Sequence, residues 1–339
     1  MTQTIKSEFA QLFGISAPIA TAPMAYATTP ALVASAIKAG GIGFLGAGNE
    51  PAPKLAAMID QARAGLSPEQ QALVGMGLVG WVMDRFNTGD DPRLNTVLDK
   101  KVSGIWLAYG SDLGKYVEQI REHSKRTGHK TRVLVNVNTI DELNRAVNEW
   151  KADVVIVQGS EAGGRGSISS PPTLEFVRQA APLVPSNIPV LAAGGIMNGI
   201  QKAALLEAGA SGIVLGTRVL FTPESMISEE MKQVMIAAGP NSTSRSPAYD
   251  VAFPPGVWPA GIEARCIDNA IVREFKEGLD AADRKAKIQA GDSDHLIIYA
   301  GEGVAEVKDI QPTETVIKTI TAQAIASLKA SGSDLLVVE

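Results

Sequence analysis

Cysteine, histidine and aromatic residues are scarce in this chain of 339 residues. Cys266 is the only cysteine, there are three histidines, and Phe, Trp and Tyr together make up 5% of the residues. A single cysteine excludes an internal disulfide, and a reducing compartment such as the cytoplasm is the expected location. The histidines, His123, His129 and His295, are scattered without the spacing of metal ligands, so no metal site is predicted.

An excess of basic charge and long apolar runs are also missing. The formal net charge is −5, which argues against a nucleic-acid-binding surface. No run of 18 or more apolar residues occurs, and residues 1–14 contain no apolar core followed by a small-residue cleavage site. Neither a membrane span nor a secretory signal is therefore expected. The sequence also lacks a G-x-S-x-G serine motif and a G-x-G-x-x-G motif after the first predicted strand, which argues against a serine hydrolase and a Rossmann-type dinucleotide site.

What the chain does contain is a strand–helix–strand pattern, clearest over residues 188–221. Two apolar runs of strand length end at Gly194-Gly195 and at Gly216-Thr217, with a helical pattern between them. Parallel neighbouring strands require such a crossover. Glycines directly after a strand let the main chain approach a ligand, and two such turns leading into helix N-termini can present several N–H groups to one phosphate. Two ordinary turns without a ligand would show the same glycine pairs.

Eight apolar runs of strand length, separated by helical patterns, occur along the chain. They are continuously apolar, as strands buried on both faces are. A (β/α)8 barrel, an α/β fold, is the simplest interpretation, and a doubly wound sheet is the alternative. The spacing of the runs does not separate the two, but phosphate-type turns after the last two strands are typical of the barrel. The predicted strands are residues 18–22, 42–45, 72–79, 102–108, 132–137, 153–157, 190–193 and 213–215.

The alternation breaks between residues 226 and 292. Helical patterns at 229–238 and 270–286 flank a stretch rich in Pro and Gly that contains Phe253 and Trp258. We interpret this segment as a mainly helical insertion after strand 8. Its aromatic residues either border a pocket at the barrel mouth or cap the barrel as a surface excursion, and the pattern leaves both open. The predicted domains are a barrel of residues 1–225 and 293–339 and an inserted subdomain of residues 226–292 that covers the mouth.

The loop after the sixth strand carries polar and glycine residues at the catalytic face of the predicted barrel. Gly163 and Gly164 would let the main chain lie close to a planar ligand. Gln158 both donates and accepts hydrogen bonds, which suits a carbonyl of that ligand or of a substrate. Glu161 is a candidate base, although a glutamate on a loop is more often a solvated or structural charge.

Six motifs occur together and in order: PIATAPM at residues 18–24, AGGIGFLG at 39–46, QGSEAGG at 158–164, AAGGI at 192–196, GTRVLFTPES at 216–225 and IIYAGEGVAEVKDI at 297–310. With them the chain resembles the nitronate monooxygenase family, also called the 2-nitropropane dioxygenase family, over nearly its whole length. The resemblance implies a TIM barrel with one FMN and a helical insertion after strand 8. It also implies relatives with other activities: a flavin enoyl reductase of fatty-acid synthesis and NADH:quinone reductases.

The resemblance also implies a set of flavin contacts. The glycine-turn residues among these contacts agree with the phosphate site that was interpreted above from the glycines alone. Gln158 and Gly163, in the loop after the sixth strand, are also predicted cofactor contacts. The implied contacts are Thr21, Ala22, Pro23 and Met24 along the isoalloxazine ring, Asn136 as a polar neighbour, and Gly164, Gly194, Gly195, Gly216 and Thr217 at the ring edge and the phosphate.

Arg165 is the main departure from the family pattern, because active members commonly have a histidine there that removes the α-proton of the substrate. Arginine stays protonated and cannot be that base, but it can bind an anion through two parallel hydrogen bonds. A nitronate is already an anion, whereas a neutral nitroalkane needs a base. The substitution therefore fits nitronate oxidation, and equally another anionic substrate such as a carboxylate. If the Arg165 side chain points to solvent or pairs with Glu161, it binds neither a nitronate nor another anionic substrate.

The predicted function is that of an FMN-dependent oxidoreductase similar to nitronate monooxygenases, which oxidises alkyl nitronates with O2. The expected partners are a small-molecule substrate and either O2 or NAD(P)H as co-substrate, without nucleic acid or membrane. One alternative is an NAD(P)H-dependent FMN reductase of an enoyl or quinone substrate. Another is a flavoprotein without catalytic turnover.

Overall fold

Strands and helices alternate along the chain in the computed structural model, which describes residues 3–86, 92–253 and 258–338. The strands are β1 (Gln3–Ile5), β2 (Ile19–Thr21), β3 (Ile42–Gly46), β4 (Val74–Val79), β5 (Gly104–Ala108), β6 (Arg132–Val137), β7 (Val154–Gln158), β8 (Gly164–Ser167), β9 (Val190–Ala193), β10 (Gly212–Leu215), β11 (Thr243–Ser246), β12 (Ile262–Ile267) and β13 (Leu336–Val338). The α-helices are α1 (Glu8–Phe13), α2 (Pro30–Lys38), α3 (Ala52–Arg63), α4 (Pro68–Gln71), α5 (Gly80–Phe86), α6 (Pro92–Asp99), α7 (Gly114–Thr127), α8 (Ile140–Asn144), α9 (Thr173–Ala180), α10 (Gly199–Glu207), α11 (Thr217–Leu220), α12 (Glu229–Ala237), α13 (Ala270–Lys276), α14 (Ala281–Gln289) and α15 (Thr313–Ser331).

Eight of these strands close into a parallel barrel in the order β2-β3-β4-β5-β6-β7-β9-β10, and β10 pairs with β2 to complete the ring. At the closure Ile213 lies opposite Ile19, and Leu215 lies opposite Thr21. The predicted (β/α)8 barrel is confirmed, and the doubly wound alternative is wrong because such a sheet stays open at both edges. Within residues 3–86, 92–253 and 258–338, every helix is too short or too polar to cross a membrane.

The barrel interior is filled by side chains, as is usual for this fold. Phe44 packs edge-to-face against Trp106, with 5.5 Å between the ring centroids. The neighbouring strand has Gly75 beside this pair, where a Cβ atom would lie 2.4 Å from the Phe44 ring. A small residue on one strand therefore makes room for a large one on the next. A second, larger apolar layer packs between the outer face of the strands and the helices.

Glu224 joins three elements where the barrel closes. Its carboxylate accepts hydrogen bonds from the main-chain N–H of Thr313 at 3.1 Å and from the hydroxyl of Ser35 at 3.0 Å. Thr313 is the first residue of α15 and Ser35 lies in α2. A carboxylate at the start of a helix satisfies a free N–H group and complements the helix dipole. The closing helix is thereby anchored beside the first helix of the barrel.

The insertion contains strands as well as helices. β11 and β12 pair antiparallel with each other, and β12 also pairs with β8, where Ala264 lies opposite Arg165. The sequence analysis did not predict this three-stranded sheet, whose strands are short and partly polar. The helix predicted over residues 270–286 is also wrong as a single element, because α13 and α14 are separated at Gly278, which has φ of 81°. The sheet attaches the insertion to the loop after β7, at the mouth of the barrel.

Candidate active site at the barrel mouth

The two glycine turns after β9 and β10 lie side by side, because Ala193 is paired with Val214 in neighbouring parallel strands. Gly194 and Gly195 have φ of 126° and 68°, a region that residues with a Cβ atom rarely adopt. Glycine turns of this kind can direct successive main-chain N–H groups into an anion-binding concavity.

The helix that follows β9 does not point its N-terminus at this concavity. α10 begins only at Gly199, whose N–H donates to Gln323 Oε1 at 2.9 Å. Asn198 caps the helix by accepting from the N–H of Gln201 at 3.0 Å. The N–H groups of Gly199 and Gln201 are therefore satisfied within the protein. The prediction that both turns lead directly into a helix N-terminus is wrong for this turn, and the donors are those of the turn itself.

The end of β2 borders the turn after β10. The hydroxyl of Thr21 is buried and has no partner in the described part of the chain. A Cβ atom on Gly216 would lie 3.9 Å from both Ala22 and Met24, in ordinary van der Waals contact with them, so these residues border the turn. Pro23 packs closely over Gly77 of β4. The four residues predicted to line the flavin ring are thus adjacent to the turn predicted to bind its phosphate.

Gln158 is the centre of a buried polar network at the ends of β5, β6 and β7. Its Oε1 accepts from Asn136 Nδ2 at 2.8 Å, and its Nε2 donates to the main-chain oxygen of Arg165 at 2.8 Å. The Tyr109 hydroxyl lies 2.8 Å from the same Oε1 and 2.6 Å from the same Arg165 oxygen. Tyr109 has φ of 55°, and burial raises its pKa well above the ordinary value, so its hydroxyl remains a donor. The amides of Asn136 and Gln158 each keep one N–H for a ligand.

Glu161 lies beside the turn after β9 and is bound to the start of α9. Its carboxylate accepts from both the main-chain N–H and the hydroxyl of Thr173, each at 2.7 Å, at the N-terminus of α9. Gly163 is explained by packing, because a Cβ atom there would lie 2.5 Å from the main chain of Ala300. Gly164 has φ of 73° and open space around its Cβ position, which leaves room for a ligand.

Arg245 of β11 fixes the main chain of the loop after β7. Its guanidinium donates to the main-chain oxygens of Ala162 at 2.9 Å, Gly166 at 3.1 Å and Glu263 at 2.7 Å. Arg265 of β12 adds a bond from Nε to the oxygen of Ser160 at 3.1 Å. Main-chain carbonyls of the loop therefore face the insertion, and two arginines hold the loop in place.

Arg165 lies buried between the barrel and the insertion, with only 6% of its side chain exposed. One guanidinium nitrogen, Nη1, forms an ion pair with Asp250. The guanidinium carbon lies 4.4 Å from the centroid of the Trp258 ring and 5.2 Å from that of Phe253. Nε and Nη2 have no hydrogen-bond partner among the described residues. The side chain thus neither points to solvent nor pairs with Glu161. Its Nε and Nη2 atoms are enclosed by protein, and the Tyr299 hydroxyl lies close enough to interact with the guanidinium.

Sequence reasoning named Phe253 and Trp258 as residues that could border a pocket at the mouth, but it missed their neighbours around Arg165. Trp258 packs edge-on against Trp81 and Tyr109, with ring centroids 5.0 and 5.9 Å away. Trp81 and Tyr109 follow directly after β4 and β5, a position that indicates the catalytic face and could have drawn attention to them. No local signal identifies Asp250 or Arg245, because the insertion brings them to the site from a distant part of the chain.

No histidine lies at the mouth. His123 bonds to Asp99, the ring of His129 lies 3.1 Å from the main-chain oxygen of Val102, and His295 bonds to Glu274. None of these partners belongs to the site described above. Among the described residues, no group of three or more His, Cys, Asp or Glu side chains is arranged to hold a metal ion.

Comparison with known proteins agrees with this geometry. The nitronate monooxygenase family model matches residues 78–323, most of the chain. The chain belongs to the nitronate monooxygenase family. It is therefore an oxidoreductase of a flavin-dependent family, as the resemblance of its motifs implied.

Relatives of similar length extend the family match over nearly the whole chain. A nitronate monooxygenase of Metarhizium robertsii is 28% identical and aligns over 97% of this chain and 98% of its own. FabK from Thermotoga maritima is 25% identical, with a TM-score of 0.79 over 97% of this chain and 99% of that one. A nitroalkane oxidase from Streptomyces ansochromogenes is 27% identical, with a TM-score of 0.75 over 95% of this chain and 99% of that one.

Proposed function

We propose that this protein is an FMN-dependent nitronate monooxygenase that oxidises alkyl nitronates with O2. The observation that carries the proposal is the family match over residues 78–323, together with the glycine turns at the barrel mouth. A nitronate carries two oxygens on one planar nitrogen, so it could accept hydrogen bonds from a guanidinium such as that of Arg165. Charge-assisted bidentate pairs of this kind are among the stronger hydrogen-bonded contacts in proteins.

The residues at the mouth fit FMN. The main-chain N–H groups of Gly194, Gly195 and Gly216, with the hydroxyl of Thr217, would hold the phosphate. The unpartnered Thr21 hydroxyl and the chain from Ala22 to Met24 would lie along the ring. Bound there, FMN would accept the electrons of the nitronate and pass them to O2. The remaining proposed contacts are Asn136 and Gln158, through their free N–H groups, and the main chain at Gly163 and Gly164.

The two residues predicted from the sequence as catalytic do not supply a base for a neutral nitroalkane. Arg165 cannot accept a proton, and the carboxylate of Glu161 is occupied by Thr173. We therefore propose that Arg165 binds the anion, that Glu161 is structural, and that the substrate arrives as a pre-formed nitronate. The donors at the site then orient the anion, and no side chain has to remove a proton first.

Flavin reduction under anaerobic conditions tests this proposal. The holoprotein is mixed in a stopped-flow instrument with one nitro compound, supplied either as its nitronate or as the neutral acid. We expect rapid loss of the flavin absorbance with the nitronate and almost none with the neutral form. Equal rates for both forms would show that a base is present and would contradict the assignment of Arg165.

The same experiment separates the alternatives. Rapid bleaching by NADH, with no reduction by nitronate, would support an NAD(P)H-dependent reductase of an enoyl or quinone substrate. Bound flavin that no nitro compound and no pyridine nucleotide reduces would support a flavoprotein without turnover.

A further inference from the structure

We infer that Gly301 and Gly303 are positioning residues for the FMN phosphate. They belong to the sequence motif at residues 297–310, to which the proposed function gives no role. Within this motif, residues 300–309 form a bridging segment that contacts both glycine turns at the barrel mouth. The inference deepens the proposed function and rests on it only in placing the phosphate at these turns.

At the turn after β10, the bridging segment forms a hydrogen bond with Thr217. The main-chain N–H of Gly301 donates to the Thr217 hydroxyl oxygen at 2.9 Å, and the bond is buried. A hydroxyl that accepts in this way keeps its own proton to donate. The Gly301 N–H therefore fixes the Thr217 oxygen and leaves the O–H group for an oxygen of the phosphate. A Cβ atom on Gly301 would lie 2.7 Å from the main-chain oxygen of Glu161, so a larger residue would displace this contact.

At the turn after β9, the bridging segment lies against the Gly195 carbonyl. A Cβ atom on Gly303 would lie 2.9 Å from that oxygen and 2.7 Å from Cγ of Met197, closer than real Cβ atoms approach. The φ of Gly303 lies outside the left-handed region, so space, and not backbone conformation, requires glycine here. Because a peptide unit is planar, a shift of the Gly195 carbonyl turns the N–H of Ile196 with it. A larger residue at 303 would therefore change how this turn directs its donors.

Apolar side chains pack the bridging segment against both turns. Val304 and Val307 are buried and belong to one apolar cluster with Met197 and Leu220. Met197 follows the turn after β9, and Leu220 ends α11, which follows the turn after β10. Because a close-packed interior transmits displacements, the segment can set the position of one turn relative to the other.

Charged side chains attach the same segment to the start of each following helix. The Glu306 carboxylate accepts from Asn198 Nδ2 at 3.0 Å and from Gln201 Nε2 at 2.9 Å, at the start of α10. Asp309 forms an ion pair with Arg218 of α11, with 3.5 Å between Oδ1 and Nη2. The bridging segment is thus attached separately beside each of the two turns.

The test compares FMN with riboflavin, which has the same ring system and lacks the phosphate. Flavin fluorescence gives the Kd of each for the stripped protein, and the ratio of the two affinities isolates the phosphate contribution. The wild type should bind FMN about a hundredfold more tightly, since two charge-assisted hydrogen bonds correspond to about a factor of ten or more each. Gly303→Ala should lower this ratio about tenfold, the equivalent of one such bond, and leave the riboflavin Kd within about threefold of the wild type. Gly301→Ala should have an effect of the same size.

Gly104→Ala is the matched control. Gly104 begins β5 at the end of the barrel opposite the mouth. A Cβ atom there would lie 2.7 Å from Cδ1 of Leu134 and 3.1 Å from the main-chain oxygen of Arg132, close to the distances at Gly303. The variant should lower the melting temperature about as much as Gly303→Ala does, while the affinity ratio keeps its wild-type value. A purely structural role of Gly303 predicts that the two variants behave alike.

An unchanged ratio in folded Gly303→Ala, an equal loss of FMN and riboflavin affinity, or an equally lowered ratio in Gly104→Ala would overturn the inference. If Gly303→Ala fails to fold, as judged by circular dichroism, Val304→Ala decides the question. It loosens the packing of the bridging segment and should lower the ratio about threefold, and an unchanged ratio would again overturn the inference.

The wild-type measurement separates this inference from the proposed function. Equal affinities for FMN and riboflavin would contradict the phosphate site on which both rest. A high wild-type ratio that Gly303→Ala leaves unchanged would contradict the inference alone. Because flavin binding needs no turnover, the expected ratios without nitronate oxidation would contradict only the proposed reaction.

Discussion

At the scale of single residues, the chemistry depends on Arg165 in a position where a base would otherwise be expected. The side chain is buried and its charge is balanced by Asp250, whereas Nε and Nη2 have no hydrogen-bond partner among the described residues. A buried polar edge without a partner costs free energy. An anion that accepts from this edge would remove that cost, which is the physical reason to expect substrate binding here.

We expect Arg165→Met to lower kcat/KM for a nitronate by roughly tenfold to a hundredfold, because a charge-assisted hydrogen bond contributes about 1.5–3 kcal/mol. The variant keeps a long apolar side chain against Trp258, so its melting temperature should change little by comparison. Steady-state kinetics with nitronate as the varied substrate measures the effect, with the exposed Arg178→Met on α9 as control. Wild-type kinetics in Arg165→Met would contradict a role for Arg165 in binding the anion.

Lys202 is a second residue from which a testable effect can be derived, here on the pH dependence of the free energy of unfolding. It is fully buried in α10, and its ammonium group has no partner among the described residues. Burial lowers its pKa from 10.5 to about 7. Between these values the unfolded chain holds a proton that the folded protein does not, so stability rises with pH, by about 1.4 kcal/mol per pH unit. Below pH 7 both states are protonated, and the stabilisation is absent.

Lys202→Met should therefore stabilise the protein at pH 7 and remove the rise in stability between pH 7.5 and 9.5. Denaturant unfolding at a series of pH values measures this slope for each variant. Lys54→Met, at an exposed position in α3, should keep the wild-type slope. A Lys202→Met variant that also keeps it would show that the buried amine finds a partner or remains charged.

At the scale of elements, the turn after β10 offers a clean test of the phosphate site. Gly216→Asp should weaken FMN binding more than a hundredfold, because two charges 4 Å apart repel by about 4 kcal/mol at an effective dielectric constant of 20. A Cβ atom at Gly216 has its nearest neighbours at 3.9 Å, whereas at Gly194 it would lie 2.6 Å from the Thr173 hydroxyl. Gly216 can therefore be substituted with little strain, and Gly194 cannot.

The measurement is equilibrium binding of FMN to the stripped protein, followed by flavin fluorescence. Gly216→Ala adds the Cβ atom without the charge and should bind FMN within a few-fold of the wild type. Retention of tight FMN binding by a folded Gly216→Asp variant would place the phosphate elsewhere.

The strands and helices also differed in how well they could be predicted from the sequence. The eight barrel strands are long apolar runs, and all were predicted, because burial on both faces leaves a strong local pattern. β8, β11 and β12 were missed. Their residues, such as Gly164 and Ser246, form strands because they pair with distant segments. The break between α13 and α14 was also missed, although Gly278 marks it, because a single glycine inside a helical pattern is tolerated elsewhere.

At the scale of the whole molecule, cofactor binding should couple to the stability of the barrel. FMN at a concentration of 100 Kd should raise the free energy of unfolding by about 2.7 kcal/mol, if only the folded protein binds it. The melting temperature of the stripped protein should therefore rise by several degrees. Riboflavin has the same ring without the phosphate and should raise it less, and FAD should also raise it less. Equal shifts with riboflavin and FMN would contradict a phosphate site at the turns after β9 and β10.

Local patterns along the sequence were enough to predict the barrel and the glycine turns, and the chemistry of its side chain shows that Arg165 cannot be a base. The contacts of Arg165 could be found only in the folded protein, because Asp250 and Trp258 lie far from it along the chain. The contact of the Glu161 carboxylate with the N-terminus of α9 likewise follows from the fold and not from any local pattern. Contacts between distant segments depend on how the insertion folds over the barrel, and no local pattern encodes that arrangement.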